Sequence, residues 1–345
     1  MRVATIVGAR PQFIKAGPVS RALAAAGINE TLIHTGQHFD AAMSTVFFDE
    51  MGLKDPDHHL GISGGGHGDM TGRMMVALEP ILSTGSFAGV IVFGDTNSTL
   101  AGALTAAKLN IPLFHIEAGL RSFRRAQPEE INRRVTDHLS QLLFCPTPTA
   151  VENLGAEGIT QGVHEVGDVM YDAAKQAAEN QRGAGIVERL GLVAGAYEVA
   201  TVHRAENTDD PVALARVIDF LKARDQSVVL PLHPRTRDAV ARDGLSLDGL
   251  KICAPLGYLE MTHLVRASAG VLTDSGGLQK EAYFHRVPCI TLRDETEWVE
   301  TVAAGWNRLW LAPEAGTPRR DIPDYGDGHA ATKITAAIIA FANPA

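Results

Sequence analysis

Short apolar runs alternate with helical patterns along almost the whole chain. A first series of runs covers residues 2–7, 31–34, 90–93, 112–116 and 141–145. A second series covers residues 198–202, 227–232, 250–253, 270–273 and 287–292. Many of the segments between them carry apolar residues at helical spacing, for example Met74, Ala77, Leu78 and Ile81. This alternation predicts parallel sheets with helices on both faces.

The two series divide the chain near residue 170. A length of 345 residues also favours two domains, at roughly 100–200 residues each. We expect an α/β protein with two doubly wound, Rossmann-like domains that face each other across a cleft. The predicted domains are residues 1–168 and 169–328, and residues 329–345 form a terminal helix that packs back on the first domain.

Composition and charge exclude several classes of function. The net charge of −9 gives no basis for a nucleic-acid surface. No apolar run approaches the roughly 18 residues of a membrane span, and the chain enters a predicted strand at once, without a signal peptide. The isolated Cys145, Cys253 and Cys289 lie in or beside apolar runs, which is typical of buried thiols. We therefore expect a cytoplasmic protein with no metal, nucleic-acid or membrane partner.

The segment 115–138, HIEAGLRSFRRAQPEEINRRVTDH, concentrates chemistry in few residues. Glu117 ends a predicted strand, a polar loop carries Arg121, and Pro128 opens a helix with Glu129 and Glu130 in its first turn. Acids can transfer protons, and guanidinium groups bind phosphate. Composition alone leaves a second interpretation open, in which the acids serve the helix dipole and the arginines are solvated.

Other candidate residues follow other predicted strands, where open parallel sheets bind ligands. Arg10 and Lys15 lie at a helix start, which disfavours cations unless an anionic ligand is present. Ser275, Gly276 and Gly277 could offer N–H groups to phosphate at another helix start, and Glu281 could accept from ribose hydroxyls. The residues collected at the strand ends are Arg10, Lys15, Asp95, Glu117, Arg121, Glu129, His203, His233, Ser275, Gly276, Gly277 and Glu281.

Two motif matches are rejected. Gly61 to Gly65 fits G-x-S-x-G, but we expect no strand before it and find no helix pattern directly after it. Gly326 to Ala331 fits G-x-G-x-x-A, but no strand precedes it and too little chain follows for an acidic ribose ligand. The sequence therefore gives no case for a nicotinamide cofactor, and no cofactor is expected.

Eight motifs in order resemble the non-hydrolysing UDP-N-acetylglucosamine 2-epimerases over nearly the whole chain. They are GARPQFIK (8–15), TGQHFD (35–40), GDTNST (94–99), HIEAGLRS (115–122), PEEINR (128–133), HRAEN (203–207), LTDSGG (272–277) and LRDETEW (292–298). The resemblance implies a fold like that of the GT-B glycosyltransferases, a homodimer, a UDP-sugar substrate, and no metal or nicotinamide.

The same resemblance implies a role for each matching residue. The implied catalytic residues are Asp95, Glu117, Glu129 and His203. The implied substrate-binding residues are Arg10, Lys15, Arg121, Glu130, Arg204, His233, Ser275, Gly276, Gly277 and Glu281. Some family members are activated by substrate at an adjacent site, which would here involve Gln37, Glu130, Arg204 and His233.

The loop around Arg124 and Arg125 departs from the family pattern. It is shorter and more basic, and its guanidinium groups could meet a substrate carboxylate. This leaves a UDP-2,3-diacetamido-2,3-dideoxyglucuronate 2-epimerase as an alternative to the UDP-N-acetylglucosamine enzyme. A GT-B glycosyltransferase, a hydrolysing epimerase and a catalytically silent sensor of nucleotide sugars are further alternatives.

Overall fold

The computed structural model describes residues 1–37, 48–313 and 316–343. Residues 38–40 of the TGQHFD motif therefore lie outside the described part of the chain. The chain divides into two compact units. The first comprises Met1–Ala173 and Pro323–Ala345, and the second comprises Ala174–Ile322.

The first unit contains a seven-stranded sheet in which every pairing is parallel. Its strands are β1 Arg2–Val7, β2 Asn29–His34, β3 His58–His59, β4 Gly89–Phe93, β5 Leu113–Ile116, β6 Leu142–Cys145 and β7 Val163–Glu165. The order is β3-β2-β1-β4-β5-β6-β7, which places a topological switch point between β1 and β4.

Helices connect the strands of the first unit. They are α1 Arg10–Ala25, α2 His67–Thr84, α3 Asn97–Lys108, α4 Pro128–Leu139 and α5 Pro148–Ala156. Helix α6, Val169–Glu179, follows β7 and contains the boundary between the two units, after Ala173. The central strands β4, β5 and β6 are buried along their whole length, as expected where a parallel sheet is covered on both faces. Part of the core lies between the sheet and the helices α2 and α3, and includes Ile6, Met74, Leu78 and Val92.

The second unit repeats this topology. Its strands are β8 Tyr197–Thr201, β9 Ser227–Pro231, β10 Lys251–Cys253, β11 Gly270–Thr273, β12 Cys289–Thr291 and β13 Asn307–Leu309. All pairings are parallel, in the order β10-β9-β8-β11-β12-β13. The helices are α7 Ile186–Arg189, α8 Ala205–Thr208, α9 Pro211–Lys222, α10 Pro234–Asp243, α11 Tyr258–Arg266, α12 Gly276–Phe284 and α13 Val299–Ala303. The predicted α/β class with two doubly wound sheets is confirmed.

Three short strands were not predicted: β3, β7 and β13. Each lies at the edge of a sheet and has only two or three residues, so its own hydrophobicity is a weak signal. The expectation of no strand before Gly61 was wrong, because β3 pairs with β2 there. The rejection of a nucleophile elbow stands, since the next helix begins only at His67.

The terminal helix α14, Ala330–Ala342, packs against α1 in the first unit. The Asp172 carboxylate on α6 accepts hydrogen bonds from the backbone N–H groups of Ala330 and Ala331, at 3.1 and 2.9 Å. The first N–H groups of a helix lack partners within the helix, so this buried carboxylate caps α14 from a distant segment. Burial raises the pKa of Asp172, although the two N–H bonds oppose that shift. No helix in the described ranges is long and apolar enough to cross a membrane.

The substitution Asp172→Ala should loosen α14. Loss of a capping acceptor lowers helix stability by about 1–2 kcal/mol. Amide hydrogen exchange in residues 330–334 should therefore accelerate by the change in the opening equilibrium that this free energy represents. The matched control is Glu179→Ala, an exposed residue on the same helix as Asp172. Equal exchange rates in the two variants would show that Asp172 does not hold this helix.

Candidate functional site

Two acidic residues follow neighbouring strands near the switch point of the first sheet. Phe93 of β4 pairs with Ile116 of β5, so Asp95 and Glu117 lie just beyond adjacent strand ends. Glu117 has φ of +72°, in the left-handed region that side chains rarely adopt. Such backbone strain persists only where the surrounding structure imposes it, and it is concentrated at functional sites.

Lys15 of α1 forms an ion pair with the Glu117 carboxylate. Both side chains are largely buried, with 9% and 14% of their surface exposed. Gly94, with φ of +60°, keeps this place open, because a Cβ there would lie 3.1 Å from Glu117 Oε2. A cavity next to the pair is lined by Pro146 and Asp168, among other residues. Two residues predicted separately for the site, Lys15 and Glu117, therefore lie together at one cavity.

Arg133 of α4 connects Asp95 with Glu130. Its guanidinium contacts the Asp95 carboxylate through Nη2, and its Nη1 lies 2.9 Å from Glu130 Oε2. Asn132 donates a hydrogen bond of 2.8 Å to the Asp95 backbone carbonyl. The turn after β4 is thus tied to the first turns of α4, and Asp95 keeps 31% of its side-chain surface exposed.

Glu130 is almost completely buried, so its carboxylate offers little surface for the direct substrate contact predicted from the sequence. Its Oε2 accepts hydrogen bonds from the Ser122 backbone N–H at 2.8 Å and the Ser122 hydroxyl at 3.0 Å. Burial raises the pKa of Glu130, but the bonds from Ser122 and Arg133 outweigh it, so the pKa lies below its usual value. This position argues for a structural role of Glu130 in the loop after β5.

Arg121 lies inside the protein, not on the surface of a site. Its side chain is 1% exposed. The guanidinium donates to Asp137 Oδ2 at 2.7 Å, to both Glu157 oxygens at 2.9 Å, and to the Leu120 carbonyl at 2.7 Å. The Glu157 and Asp137 partners raise the pKa of Arg121 against the effect of burial, which lowers it. With its donors used in this way, the guanidinium is unsuited to the substrate-binding role predicted from the sequence.

Three other predicted residues of the first unit have different surroundings. Arg10 and Glu129 are exposed, each in the first turn of its helix. Gln37 Oε1 accepts hydrogen bonds from the Ser98 N–H at 3.0 Å and the Ser98 hydroxyl at 2.8 Å. Gln37 therefore helps to hold the start of α3.

The second unit presents its predicted residues around Asp274, which follows β11. The fully buried Asp274 carboxylate accepts from the backbone N–H groups of His203 and Arg204, at 2.9 Å each, and from Asn207 Nδ2 at 3.1 Å. The His203 ring stays partly exposed, and its centroid lies 5.4 Å from that of His233. Asp274 thus fixes the turn that carries the predicted catalytic His203.

Helix α12 begins beside this turn with the predicted phosphate-binding residues. Ser275 is its N-cap, and Gly276 and Gly277 form its first two positions. A Cβ on Gly276 would lie 2.6 Å from Glu297 Oε1, so a larger residue there would displace this carboxylate. Glu281 lies one turn into α12 and is 9% exposed.

A further ion cluster surrounds Glu297 in the second unit. The Glu297 carboxylate lies 2.8 Å from Arg293 Nη1 and 3.7 Å from Arg204 Nη2. The ammonium of Lys280 lies 4.0 Å from the centroid of the Trp298 ring. His233 is the N-cap of α10 and accepts a hydrogen bond of 3.2 Å from the Arg235 N–H.

Sequence reasoning missed three residues that hold the turns of the site. Asp274 is described above, and Asp137 Oδ2 accepts a hydrogen bond of 3.2 Å from the Gly119 N–H in the turn after Glu117. Gln12 accepts from the N–H groups of Gly8 and Ala9 while donating to the Phe93 carbonyl. Each is a buried polar side chain in a helix or at a strand end. Polar residues at otherwise buried helix positions are the signal that could have found them, because such groups need partners.

Among the described residues, no three His, Cys, Asp or Glu side chains are grouped in a way that could hold a metal ion. In the first unit, carboxylates paired with cations lie at the strand ends. In the second unit, an imidazole and the start of a helix lie at the strand ends. These are side chains of the kind that α/β enzymes use for acid–base chemistry at the carboxyl ends of their strands.

Comparison with known proteins gives the family. The family model of UDP-N-acetylglucosamine 2-epimerase matches residues 21–339. The chain is 50% identical to a UDP-2,3-diacetamido-2,3-dideoxy-D-glucuronate 2-epimerase of Pseudomonas aeruginosa, over 97% of this chain and 98% of that protein. It is 49% identical to a UDP-N-acetylglucosamine 2-epimerase homolog of Methanococcus maripaludis, over 90% of this chain and 88% of that protein.

A solved structure agrees with this assignment. The Methanocaldococcus jannaschii UDP-GlcNAc 2-epimerase in complex with UDP-GlcNAc and UDP has a TM-score of 0.85 and 37% identity, covering 98% of this chain and 99% of that one. The chain belongs to the UDP-N-acetylglucosamine 2-epimerase family, and it is an isomerase. The family and the enzyme class predicted from the sequence are confirmed.

The buried position of Arg121 predicts a loss of stability and not of ligand affinity. Arg121→Lys cannot reproduce the bonds to both Asp137 and Glu157, and breaking a buried ion pair costs about 3–5 kcal/mol. Urea unfolding should show a loss of this order, while calorimetric titration shows unchanged affinity for UDP. The matched control is Arg134→Lys, which alters an exposed contact to the same Glu157 and should cost under about 1 kcal/mol. Wild-type stability with weakened UDP binding would restore the substrate-binding role.

Proposed function

We propose that the chain inverts carbon 2 of a UDP-linked 2-acetamido sugar without hydrolysing the nucleotide. The main substrate pair in this proposal is UDP-N-acetylglucosamine and UDP-N-acetylmannosamine. The observation that carries the proposal is the placement of Asp95 and Glu117 after adjacent strands, each held by a cation from a helix. Parallel strands lie about 4.8 Å apart, so the two turns can serve one sugar ring.

The chemistry of carbon 2 explains why the protein must supply acid–base groups and must also keep UDP bound after it has left the sugar. No carbonyl neighbours this carbon, so its proton is not acidic. When the bond between carbon 1 and the UDP oxygen breaks, positive charge develops at carbon 1 and acidifies the proton at carbon 2. Removal of that proton gives a 2-acetamidoglucal and UDP. Return of UDP to carbon 1, with a proton delivered to the other face of carbon 2, gives the epimer.

The first unit supplies the acid–base groups in this proposal. Asp95, Glu117 and Glu129 are the candidates for taking and returning the proton at carbon 2. General acid–base catalysis typically contributes about 10²–10⁴-fold per group. Lys15 and Arg133 hold two of these carboxylates in place. Arg10, exposed in the first turn of α1, is proposed to face the diphosphate.

The second unit holds UDP in this proposal. The N–H groups at the start of α12, at Ser275, Gly276 and Gly277, suit a diphosphate because a helix N-terminus favours anions. Glu281, one turn further along α12, is proposed to accept hydrogen bonds from ribose hydroxyls. His203, fixed by Asp274, is proposed to assist the departing diphosphate.

The identity of the sugar has a second candidate, UDP-2,3-diacetamido-2,3-dideoxyglucuronate. The P. aeruginosa relative named for this substrate is 50% identical over nearly the full chain. Arg124 and Arg125 are exposed in the loop between β5 and α4, where guanidinium groups could pair with a sugar carboxylate. Membership of the epimerase family disfavours the glycosyltransferase alternative.

Assembly, location and regulation complete the proposal. By its resemblance to the family, we propose a cytoplasmic homodimer. Activation by a second substrate molecule would involve Gln37, Glu130, Arg204 and His233. The burial of Glu130 and the capping role of Gln37 mean that both would act through the loops they hold.

Proton NMR in D₂O tests the reaction directly. Purified protein with UDP-N-acetylglucosamine should produce the manno epimer, still attached to UDP and carrying deuterium at carbon 2. The solvent deuteron enters because a protein carboxylate takes the carbon 2 proton, and the group that returns a proton to the other face has exchanged with D₂O. Free N-acetylmannosamine with UDP would instead indicate a hydrolysing enzyme. An unchanged spectrum with this sugar and with the diacetamidoglucuronate would contradict the proposal.

The double substitution Arg124→Ala and Arg125→Ala tests the sugar. If these residues pair with a carboxylate, KM for the diacetamidoglucuronate should rise by about tenfold or more, as loss of a charged hydrogen bond costs about 1.5–3 kcal/mol. KM for UDP-N-acetylglucosamine should change little. The control is Arg237→Ala, an exposed arginine of the second unit paired with Asp238. Equal changes with both sugars would argue against carboxylate recognition by this loop.

A further inference from the structure

We propose that His115 is a positioning residue that remains doubly protonated inside the protein and fixes the turns carrying Asp95 and Glu117. The role in catalysis rests on the epimerase function proposed above. The protonation state does not, because it follows from the hydrogen-bond partners of the ring alone.

His115 lies in the middle of the first sheet. It belongs to β5 and pairs in register with Val92 of β4 and Leu143 of β6. None of its surface is exposed. Water therefore cannot serve as a partner for either ring nitrogen, and each must find one within the protein.

Both ring nitrogens of His115 face acceptors. Nε2 lies 2.7 Å from the backbone carbonyl oxygen of Gly94, and Nδ1 lies 2.6 Å from Asp137 Oδ1. A carbonyl oxygen can only accept. A neutral imidazole has one N–H donor and one acceptor nitrogen, so one of the two contacts would bring together two lone pairs. The imidazolium ring, with two N–H donors, satisfies both.

A neutral ring would fit only if Asp137 carried the proton, and the other contacts of Asp137 oppose this. Its Oδ2 accepts from Arg121 Nη1 at 2.7 Å and from the Gly119 backbone N–H at 3.2 Å. These donors favour a carboxylate.

The charged groups around the ring form a chain of contacts. Asp137 from α4 contacts His115, and Arg121 from the loop between β5 and α4 contacts Asp137. Glu157, just beyond the end of α5, contacts Arg121. Cys145 of β6 also lies near Asp137, and burial raises the pKa of its thiol to about 12, which keeps it neutral. His115 and Arg121 thus alternate with Asp137 and Glu157, so each of the buried charges has an opposite neighbour. At the partly exposed end of this chain, Glu157 also lies 3.2 Å from Arg134 and 3.9 Å from His138.

The His115 ring holds both turns of the site, the one that carries Asp95 and the one that carries Glu117. Its bond to the Gly94 carbonyl holds the residue before Asp95, where φ is +60°. Its bond to Asp137 supports the carboxylate that binds the Gly119 N–H, two residues after Glu117. Loss of one ring proton would release one of these turns. A displacement of about 1 Å in a catalytic group can cost roughly 10²-fold in rate.

NMR of protein labelled with ¹⁵N-histidine tests the protonation state without any substrate. At pH 8 the His115 ring should carry protons on both nitrogens and therefore show two ring N–H groups. A single ring N–H on His115 at pH 8 would overturn the proposal. A protein without epimerase activity would still give this reading, so the two proposals can fail separately.

Two substitutions separate the bonds of the ring. The amide nitrogen of His115→Gln can take the place of Nε2 and keep the bond to Gly94, whereas that of His115→Asn can take the place of Nδ1 and keep the bond to Asp137. We expect kcat to fall by about 10- to 100-fold in His115→Asn, with a smaller loss in His115→Gln and KM nearly constant in both. The control is Phe114→Leu, a neighbouring buried residue whose change should lower stability and leave kcat unaltered. Wild-type kcat in both folded histidine variants would overturn the positioning role.

If the variants do not fold, the wild-type protein decides the question. Its kcat should decline with rising pH over the range in which NMR shows His115 losing a proton. A ring that loses a proton while kcat stays constant would contradict the positioning role.

Discussion

The site in the first unit depends on one buried carboxylate, that of Asp137. It receives the imidazole of His115 from β5, the backbone N–H of Gly119 from the turn after Glu117, and the guanidinium of Arg121 from the next loop. Removing one partner of a buried ionic group costs about 3–5 kcal/mol. Such a group therefore holds several chain segments in one arrangement, and the proposed catalytic acids are attached to these segments.

In the second unit, a buried carboxylate likewise holds a turn at the switch point of the sheet. Asp274 follows β11 and accepts the backbone N–H groups of His203 and Arg204, which follow the adjacent strand β8. In each unit, a buried acid with no direct task in the chemistry fixes a turn that carries a proposed catalytic residue. The side chains proposed for catalysis can thus stay partly exposed, as those of Asp95 and His203 do, while buried groups hold their backbones.

Much of this arrangement could be predicted from the sequence, because buried parallel strands are continuous apolar runs and site residues follow their carboxyl ends. The positions of Asp95, Glu117 and His203 follow from that rule. The edge strand β3 could not be predicted, since two histidines become a strand only by pairing with β2. The buried position of Arg121 could not be predicted either. Its partners Asp137 and Glu157 lie 16 and 36 residues further along the chain, and only the folded structure shows that they consume its donors.

The central claim is that UDP leaves carbon 1 while the acids at the strand ends of the first unit exchange the proton at carbon 2. A UDP-sugar with ¹⁸O in the bond between carbon 1 and the β-phosphate tests it most directly. If UDP is released and recaptured within the protein, the label should scramble into the non-bridging β-phosphate positions during epimerisation. In Glu117→Gln, scrambling should slow by at least about 100-fold, the typical effect of losing an acid–base group. If the wild-type protein epimerised the sugar while the label stayed in the bond between carbon 1 and the β-phosphate, this account would be contradicted.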